Sequence, residues 1–366
     1  MKILLFDNSG MNFCRGDFLV EEKTGNFAKE LKNLGNDVIF FGQKIHSSDN
    51  TIHSFRLKQN GMAVCGLYRK KNKIFNYFLL YLKAIPAILK SDFIYIFYPN
   101  AFMYIAFISK LLGKRYGLYV RGEQGLSDRV SYLIYKNAYL ICTVSDYFSQ
   151  FINDAIGKNI ANTIRPMITF GKKDIISDRE YRLKETYNIL FIGRLDREKG
   201  LEELLLAIKI LAEKKRKISL TIVGDGDFMN SGKEIANKLR IDDLVKFTGA
   251  VYDSNEIRKY YISSDIYILP SYHEGFPRTL YEAMIFGVPI ITTFVGGISS
   301  LMKDNFNCKE IKPRSVNSIV EVLIWAMDNY PKMGELAKKG AKTVTEVFNS
   351  RPFTHAQYLY WVLNEK

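Results

Sequence analysis

The sequence of 366 residues contains only four cysteines and no long apolar run. The cysteines (Cys14, Cys65, Cys142 and Cys308) form no Cys-x-x-Cys pair, which indicates reduced thiols and argues against a zinc site. No apolar stretch reaches the roughly 18 residues needed to span a bilayer. The first residues, MKILLFD, also lack the apolar core and cleavage site of a signal peptide. We therefore expect a cytoplasmic protein.

Most short catalytic motifs are missing as well. The sequence has no P-loop, HExxH or nucleophile elbow, and GDGDFMNSG does not match the dinucleotide-binding GxGxxG fingerprint. Asp225-Gly226-Asp227 resembles a metal-binding Asp-x-Asp, but it ends a predicted strand in a glycine turn, so we interpret it as a loop or as part of a nucleobase pocket. His273 is a lone histidine, a type that is more often structural than catalytic. We therefore predict no metal and no cofactor.

Acidic residues are outnumbered by basic ones, which gives a net charge of +14. The excess is uneven: residues 1–180 carry 25 Lys and Arg against 15 Asp and Glu, while the remainder carries 27 against 23. A basic first half indicates an anionic partner, which could be a membrane surface, a nucleic acid or a phosphorylated substrate.

What the sequence does contain is a repeated strand–helix alternation. Apolar segments such as KILLFD, DVIFFG, DFIYIFYP, RYGLYVRG and AYLICTVS are separated by helical segments, which is typical of parallel strands buried on both faces. The pattern resumes with YNILFIGRL, ISLTIVGDG, DLVKFTGAV, DIYILPS and VPIITTFVGG. The length and this alternation predict two doubly wound α/β domains facing each other across a cleft. We expect domains at 1–170 and 187–348, a linker at 171–186, and a C-terminal helix within 349–366 that packs back on the first domain.

The segment HEGFPRTLYEA, residues 273–283, places Glu274 just before a predicted helix and Glu282 inside it. Pro277 suits the first helical position, and the amides of Arg278, Thr279 and Leu280 would then form an anion site at a strand's carboxyl end. Two acids beside a phosphate site suit a ligand with hydroxyls on both sides, such as a nucleotide sugar. The alternative is that the two acids serve only as a helix-dipole acid and a surface salt-bridge partner.

A second charged loop, FIGRLDREKG (residues 191–200), ends the first strand of the second half. Gly193 would allow a tight turn there. Arg194 offers a planar fork to phosphate oxygens and Lys199 a mobile point charge, so the two would neutralise a diphosphate leaving group. The alternative is an ordinary solvated loop between a strand and a helix.

These segments together resemble the retaining glycosyltransferases of family 4, which have the GT-B fold. The resemblance covers most of residues 188–300 and rests on GRLDREKG, IVGDGD, VKFTGAV, DIYILPSYHEGFPRTLYEAMIFGVPII and Gly296-Gly297, in that order. It implies that Arg194 and Lys199 bind the donor diphosphate, that Glu274 contacts the transferred sugar and that Glu282 contacts the ribose. Residues near the donor would also include Gly193, Gly249, Val251, Phe276, Thr279 and Leu280, with Gly249 and Val251 beside the nucleobase.

The sequence departs from that family in three places. After the first strand it has Ser9-Gly10 where paired glycines are usual. Three positions after Gly297, where the family normally has an acid, it has Ser300. The segment that often carries a histidine has Arg121 and Glu123 instead. Gly10, Arg121 and Glu123 are therefore our candidates for the acceptor side.

Residues 67–90 combine a basic cluster with an aromatic and aliphatic helix, a combination found on anionic membrane surfaces. The alternative is a core-facing helix with a solvated basic flank. Our leading hypothesis is a retaining hexosyltransferase that moves a sugar from a nucleotide diphosphate sugar to a growing, lipid-linked surface glycan, without nucleic acid as a partner. The alternatives are a nucleotide-sugar epimerase of the same fold and a basic protein that binds nucleic acid or a membrane surface without turnover.

Overall fold

The computed structural model describes residues 1–7, 9–46, 53–122, 125–275 and 277–365. It divides the chain into two compact units. The first unit joins Met1–Met167 to Arg351–Lys366, and the second is Ile168–Ser350. Among the helices in these ranges, none combines the length and the apolarity that crossing a membrane requires.

One large sheet forms the centre of the first unit. Its strands are β1 (Lys2–Phe6), β2 (Met11–Cys14), β3 (Asp17–Val20), β4 (Asp37–His46), β5 (Phe55–Arg56), β6 (Ala63–Tyr68), β7 (Phe93–Tyr98), β8 (Arg115–Val120), β9 (Leu140–Thr143) and β10 (Ala161–Thr163). They lie in the order β10-β9-β8-β7-β1-β4-β2-β3-β5, and β6 pairs with β4. The pairs are parallel except those of β3, which is antiparallel to β2 and β5. The sequence pattern did not predict the β2–β3 hairpin.

Helices cover both faces of this sheet. They are α1 (Glu22–Asn33), α2 (Lys73–Leu89), α3 (Ile105–Leu111), α4 (Arg129–Asn137) and α5 (Asp146–Ile156). In β1, Ile3 and Leu5 pack on the side of α1, whereas Leu4 and Phe6 pack on the side of α2 to α5. Successive side chains of a strand point to opposite faces, so both faces of the sheet are buried, as the continuous apolar runs predicted.

The second unit has a smaller, fully parallel sheet. Its strands are β11 (Thr186–Ile192), β12 (Lys217–Val223), β13 (Val245–Gly249), β14 (Ile266–Leu269), β15 (Ile290–Thr292) and β16 (Lys309–Glu310), in the order β13-β12-β11-β14-β15-β16. Its helices are α6 (Leu201–Glu213), α7 (Phe228–Lys238), α8 (Ser254–Ser263), α9 (Arg278–Ile285), α10 (Val316–Asp328) and α11 (Tyr330–Ser350). The strand order reverses between β11 and β14, and such a switch point is where open α/β sheets bind ligands.

The last helix, α12 (His355–Asn364), returns to the first unit and packs on the side of α1. Just before it, Arg351 contacts both carboxylate oxygens of Asp146 at 2.7 and 2.8 Å. His355 is buried, and its Nε2 lies 2.6 Å from the Tyr95 hydroxyl. Burial, together with the nearby Arg121 charge, lowers the pKa of His355 to about 3, so the imidazole is neutral in the folded protein.

Residues 171–186, where we expected a linker, lie within the second unit. The Arg179 guanidinium donates to the backbone oxygens of Tyr261 and Phe286 at 3.3 and 3.4 Å. The Tyr181 hydroxyl donates to the Gly287 oxygen at 2.7 Å. Hydrogen bonds to backbone groups hold this segment in place without the apolar periodicity that would have revealed it in the sequence.

Candidate active site

The charged loops predicted from the sequence meet at the switch point of the second sheet. Lys199 follows β11, Glu274 follows β14, and Lys199 Nζ lies 2.5 Å from Glu274 Oε1. Their side chains are only 16% and 10% exposed. The buried hydroxyl of Ser271 donates to the same carboxylate oxygen at 2.7 Å. The fold thus brings together two predicted site residues that are far apart in sequence, and it adds Ser271, which the sequence pattern did not indicate.

A glycine makes this meeting possible. Lys199 ends a short 3-10 turn, and Gly200 follows it in the left-handed conformation with φ of 66°. A Cβ on Gly200 would lie 2.2 Å from the backbone oxygen of Pro270. Because only glycine allows both this φ and this approach, the turn that carries Lys199 can rest directly on the end of β14.

Arg194 behaves differently from Lys199. Its side chain is 76% exposed, and its Nε donates to Asp196 Oδ2 at 2.7 Å. The other oxygen of Asp196, Oδ1, is buried without a hydrogen-bond partner. The guanidinium of Arg194 is therefore presented to solvent on the loop that follows β11, while Lys199 is enclosed.

Gly193, where we expected a tight turn, is not among the glycines with a positive φ. Its backbone oxygen has a close neighbour: a Cβ on Gly224 would lie 1.8 Å from the Gly193 oxygen, so the approach requires glycine at 224. Gly224, at φ of 143°, also donates its amide to the Gly249 oxygen at 2.9 Å. The backbones of the loops after β11, β12 and β13 are therefore in direct contact with one another. Val251, which follows β13, is partly buried.

The start of α9 differs in detail from the prediction. Pro277 is the residue before the helix, with ψ of 124°, and Arg278 is the first helical residue. The Leu280 amide donates to the Pro277 oxygen at 3.2 Å, so it is already used within the first turn. The side chain of Thr279 accepts a hydrogen bond from the Tyr267 hydroxyl at 2.6 Å. Phe276, a further predicted donor contact, lies outside the described residues.

Glu282 is buried, with 5% of its surface exposed. The Tyr261 hydroxyl donates to Glu282 Oε2 at 3.0 Å. Burial and the neighbouring carboxylate raise the pKa of Tyr261 well above its ordinary value, so Tyr261 keeps its proton and remains a donor. This placement rules out the alternative of a surface salt-bridge acid. The assignment of Glu282 to a ribose stays a prediction.

The Asp-Gly-Asp turn is part of the loop packing. The Leu195 amide donates to the Asp225 backbone oxygen at 2.9 Å, and Asp225 Oδ1 accepts the Gly226 amide at 2.8 Å. Across the part of the chain that the structure describes, no group of three His, Cys, Asp or Glu side chains is arranged to hold a metal ion.

In the first unit, Arg121, one of the acceptor candidates, lies near a carboxylate that the sequence did not single out. Asp7 follows β1, is only 6% exposed, and accepts a hydrogen bond from the Ser9 hydroxyl at 2.7 Å. Arg121, after β8, approaches Asp7 Oδ1 to 3.7 Å and lies over the ring of Phe97 at 5.1 Å. Gly10 has φ of 78°.

The remaining acceptor candidate, Glu123, lies outside the described residues. His53, which we had not connected with any site, lies near Asp7, and burial lowers its pKa despite that charge. Its ring Nδ1 is 2.9 Å from the Asn12 side-chain amide. A position directly after the central strand was the only signal for Asp7, and His53 gave none.

Two doubly wound units, each with its polar loops at the carboxyl ends of parallel strands, define a protein of the GT-B fold, as predicted. Residues 173–343, which lie within the second unit, match the family described as glycosyl transferases group 1. The crystal structure of Anabaena HepE in complex with UDP and glucose superposes with a TM-score of 0.71 at 19% identity, covering 95% of both chains. A likeness at that identity establishes the fold.

Two curated relatives match parts of the chain. One is an uncharacterized glycosyltransferase of Methanocaldococcus jannaschii, 32% identical over 140 residues, which is 38% of this chain and 34% of the relative. The other is the putative teichuronic acid biosynthesis glycosyltransferase TuaC of Bacillus subtilis, 36% identical over 134 residues, which is 37% of this chain and 31% of TuaC. Each match thus spans about a third of the relative's length.

Proposed function

We propose that this protein is a retaining glycosyltransferase that transfers a hexosyl group from a nucleoside diphosphate sugar to a hydroxyl group of a growing surface glycan. The observation that carries the proposal is the enclosed Lys199–Glu274 pair at the switch point, where a cation for phosphate and a carboxylate for sugar hydroxyls lie side by side. The relative TuaC is named for teichuronic acid biosynthesis, and the HepE crystals contain UDP and glucose. The first supports a glycan as the product, and the second supports a nucleotide-sugar donor.

The proposed chemistry follows from where charge develops. Departure of the leaving group places negative charge on the diphosphate, which Lys199 and Arg194 would stabilise electrostatically. Glu274 would accept hydrogen bonds from hydroxyls of the transferred sugar, and Glu282 from the ribose. The acceptor would attack the face that the diphosphate leaves, so the diphosphate itself can take the acceptor proton and the anomeric configuration is retained. Two cations already match the diphosphate charge, so we propose that no metal ion is needed.

We further propose that the acceptor is lipid-linked and that the protein works at the inner face of the membrane. The excess positive charge of residues 1–180 supports this location, because the cytoplasmic leaflet is anionic.

A donor screen tests the proposal. The purified protein is incubated with UDP-, GDP-, ADP- and dTDP-sugars, and nucleoside diphosphate release is measured with and without lipid extracts as acceptor. We expect one nucleotide family to stabilise the protein against heat and to be turned over. Proton NMR of the product should show the same anomeric configuration as the donor. Inversion of configuration would refute the retaining mechanism, and no turnover of any nucleotide sugar would refute the function.

A further inference from the structure

Helix α2 has two apolar faces, and only one of them is used by the fold. Asn76, Leu80, Ala84 and Ile88 follow one another at four-residue spacing and are buried against the sheet. This accounts for the helix as a core element. It does not account for the apolar residues on the rest of its surface.

The opposite face of α2 is a stripe of exposed apolar side chains. The exposed fractions are 85% for Ile74, 50% for Phe75, 58% for Phe78, 49% for Leu82 and 52% for Leu89. With 3.6 residues per turn these positions fall within about 100° of one another, on the side of the helix that faces away from the buried row. We call these five residues the α2 stripe. Contiguous exposed apolar surface of this kind marks a binding site rather than ordinary surface.

The charge around the stripe has one sign. The chain from Arg69 to Ser91 contains six Lys and Arg residues and no Asp or Glu. One of them, Lys70, places its Nζ 5.2 Å from the centre of the Phe75 ring. At least one cation therefore lies directly beside the apolar side chains, on a helix that carries no compensating acid.

The segment after β7 exposes further apolar side chains. Tyr104 and Leu111, at the two ends of α3, are 52% and 86% exposed. The Tyr81 hydroxyl on α2 donates to the Ala101 oxygen at 2.7 Å, and the Tyr77 ring packs against Phe102 at 6.0 Å. These contacts fix α2 to the chain that leads into α3, so the α2 stripe is presented on a rigid support.

We propose that α2 is an interfacial helix that inserts its stripe into an anionic lipid bilayer while the neighbouring cations bind the headgroups. This deepens the membrane location proposed above and rests on it. A bilayer offers anionic headgroups bordering an apolar interior, which matches an apolar stripe bordered by cations. A second copy of this chain would oppose like charges across the contact, which disfavours that occupant.

Insertion differs from simple charge attraction in its response to salt. Attraction between exposed charges is screened, whereas burial of apolar side chains in the bilayer is not. We therefore expect salt to weaken binding to anionic vesicles but not to abolish it. A purely electrostatic contact through the basic cluster would be released completely.

Vesicle flotation tests the inference on the full chain, with vesicles of phosphatidylglycerol and phosphatidylcholine in equal parts. A variant with Phe75→Ser, Phe78→Ser and Leu82→Ser should bind at least about tenfold more weakly, and its residual binding should be released by salt. The matched control replaces three exposed apolar residues of the second unit, Leu183→Ser, Ile262→Ser and Phe306→Ser, and should bind as the parent does.

A charge variant tests the second part of the inference. Replacing Arg69, Lys70, Lys71 and Lys73 by Gln should remove the preference for anionic over neutral vesicles, while the binding that remains resists salt. If this variant binds the anionic vesicles with the same affinity as the parent protein, the headgroup contact is refuted.

A depth probe tests insertion directly. The chain has two tryptophans, Trp325 and Trp361, so Phe78→Trp in a Trp325→Phe, Trp361→Phe background gives a single probe in the stripe. Brominated lipids should quench it, whereas Leu183→Trp in the same background should not be quenched. An unquenched probe at residue 78, or a stripe variant that binds vesicles like the parent, would overturn the inference. So would a dimer that the stripe variant dissociates, because the stripe would then join two copies.

Nucleotide binding by each variant separates this inference from the proposed function. The α2 stripe lies in the first unit, so stripe variants should bind nucleotide as the parent does. Absence of transferase activity in the parent would refute the proposed function but leave the vesicle results as the test of α2.

Discussion

Replacing Lys199 by methionine should reduce both stability and turnover, and a second substitution should restore only the stability. In Lys199→Met, Glu274 keeps the Ser271 hydroxyl but loses its only described cation, at 10% exposure. Breaking an enclosed ion pair by removing one partner costs about 3–5 kcal/mol of unfolding free energy. For a unit of this size, that corresponds to a drop of roughly 6–20 °C in Tm.

The double variant Lys199→Met, Glu274→Gln removes both charges, and Ser271 can still donate to the Gln oxygen. We therefore expect its Tm to recover most of the loss seen in Lys199→Met, while turnover stays low because the proposed diphosphate and sugar contacts are both missing. Arg194→Met is the matched control. The Arg194–Asp196 pair is exposed on the arginine side, so its loss should cost less than about 1 kcal/mol of unfolding free energy.

Differential scanning calorimetry and initial-rate assays of the parent, Lys199→Met, Glu274→Gln, the double variant and the Arg194→Met control decide the matter. If the loss of unfolding free energy in the double variant equals the sum of the losses in Lys199→Met and Glu274→Gln, the two side chains are not coupled and the electrostatic reasoning is wrong. If the double variant regains turnover, Lys199 and Glu274 have a structural role only and do not bind the donor.

Three further results are expected. Since the pKa of His355 falls to about 3 in the folded protein, the unfolded chain takes up a proton first, and the unfolding free energy should fall by about 1.4 kcal/mol per pH unit below the ordinary pKa. Urea unfolding followed by Trp361 fluorescence in a Trp325→Phe background should show this slope, and the slope should be smaller in His355→Gln, which does not titrate at that position. Glu282→Gln should weaken binding of the free nucleoside diphosphate, whereas Glu274→Gln should weaken only the sugar-dependent part of donor binding, as measured by calorimetric titration. Turnover should persist in EDTA. If EDTA abolishes activity and manganese restores it, the Asp-Gly-Asp turn becomes the candidate metal site.

The sequence predicted the strands and helices of the second unit well, because runs such as YNILFIGRL and DIYILPS are continuously apolar and end in glycine or proline. It also predicted Lys199 and Glu274 as site residues. It could not show that they contact each other, since that contact depends on β11 and β14 being neighbours and on the close approach of Gly200 to Pro270.

Other features had no local signal. The docking of residues 171–186 depends on hydrogen bonds to backbone oxygens, which leave no periodic pattern. The two faces of α2 were indistinguishable in the sequence, because both are apolar. The burial of Leu80 and Ile88 in the structure shows which face packs against the sheet and which face is exposed. Asp7 resembled any acid at the end of a strand until Ser9 and Arg121 were found around it.

The return of α12 to the first unit has a consequence for how the protein is made. A ribosome completes residues 1–167 long before it supplies Arg351–Lys366, and the whole second unit emerges in between. During that interval Phe27 and Tyr95, which His355 later covers, lack their final partner and leave apolar surface open on the nascent chain. We expect chaperones to bind the first unit during translation, and deletion of α12 to produce aggregation rather than a soluble, shortened first domain.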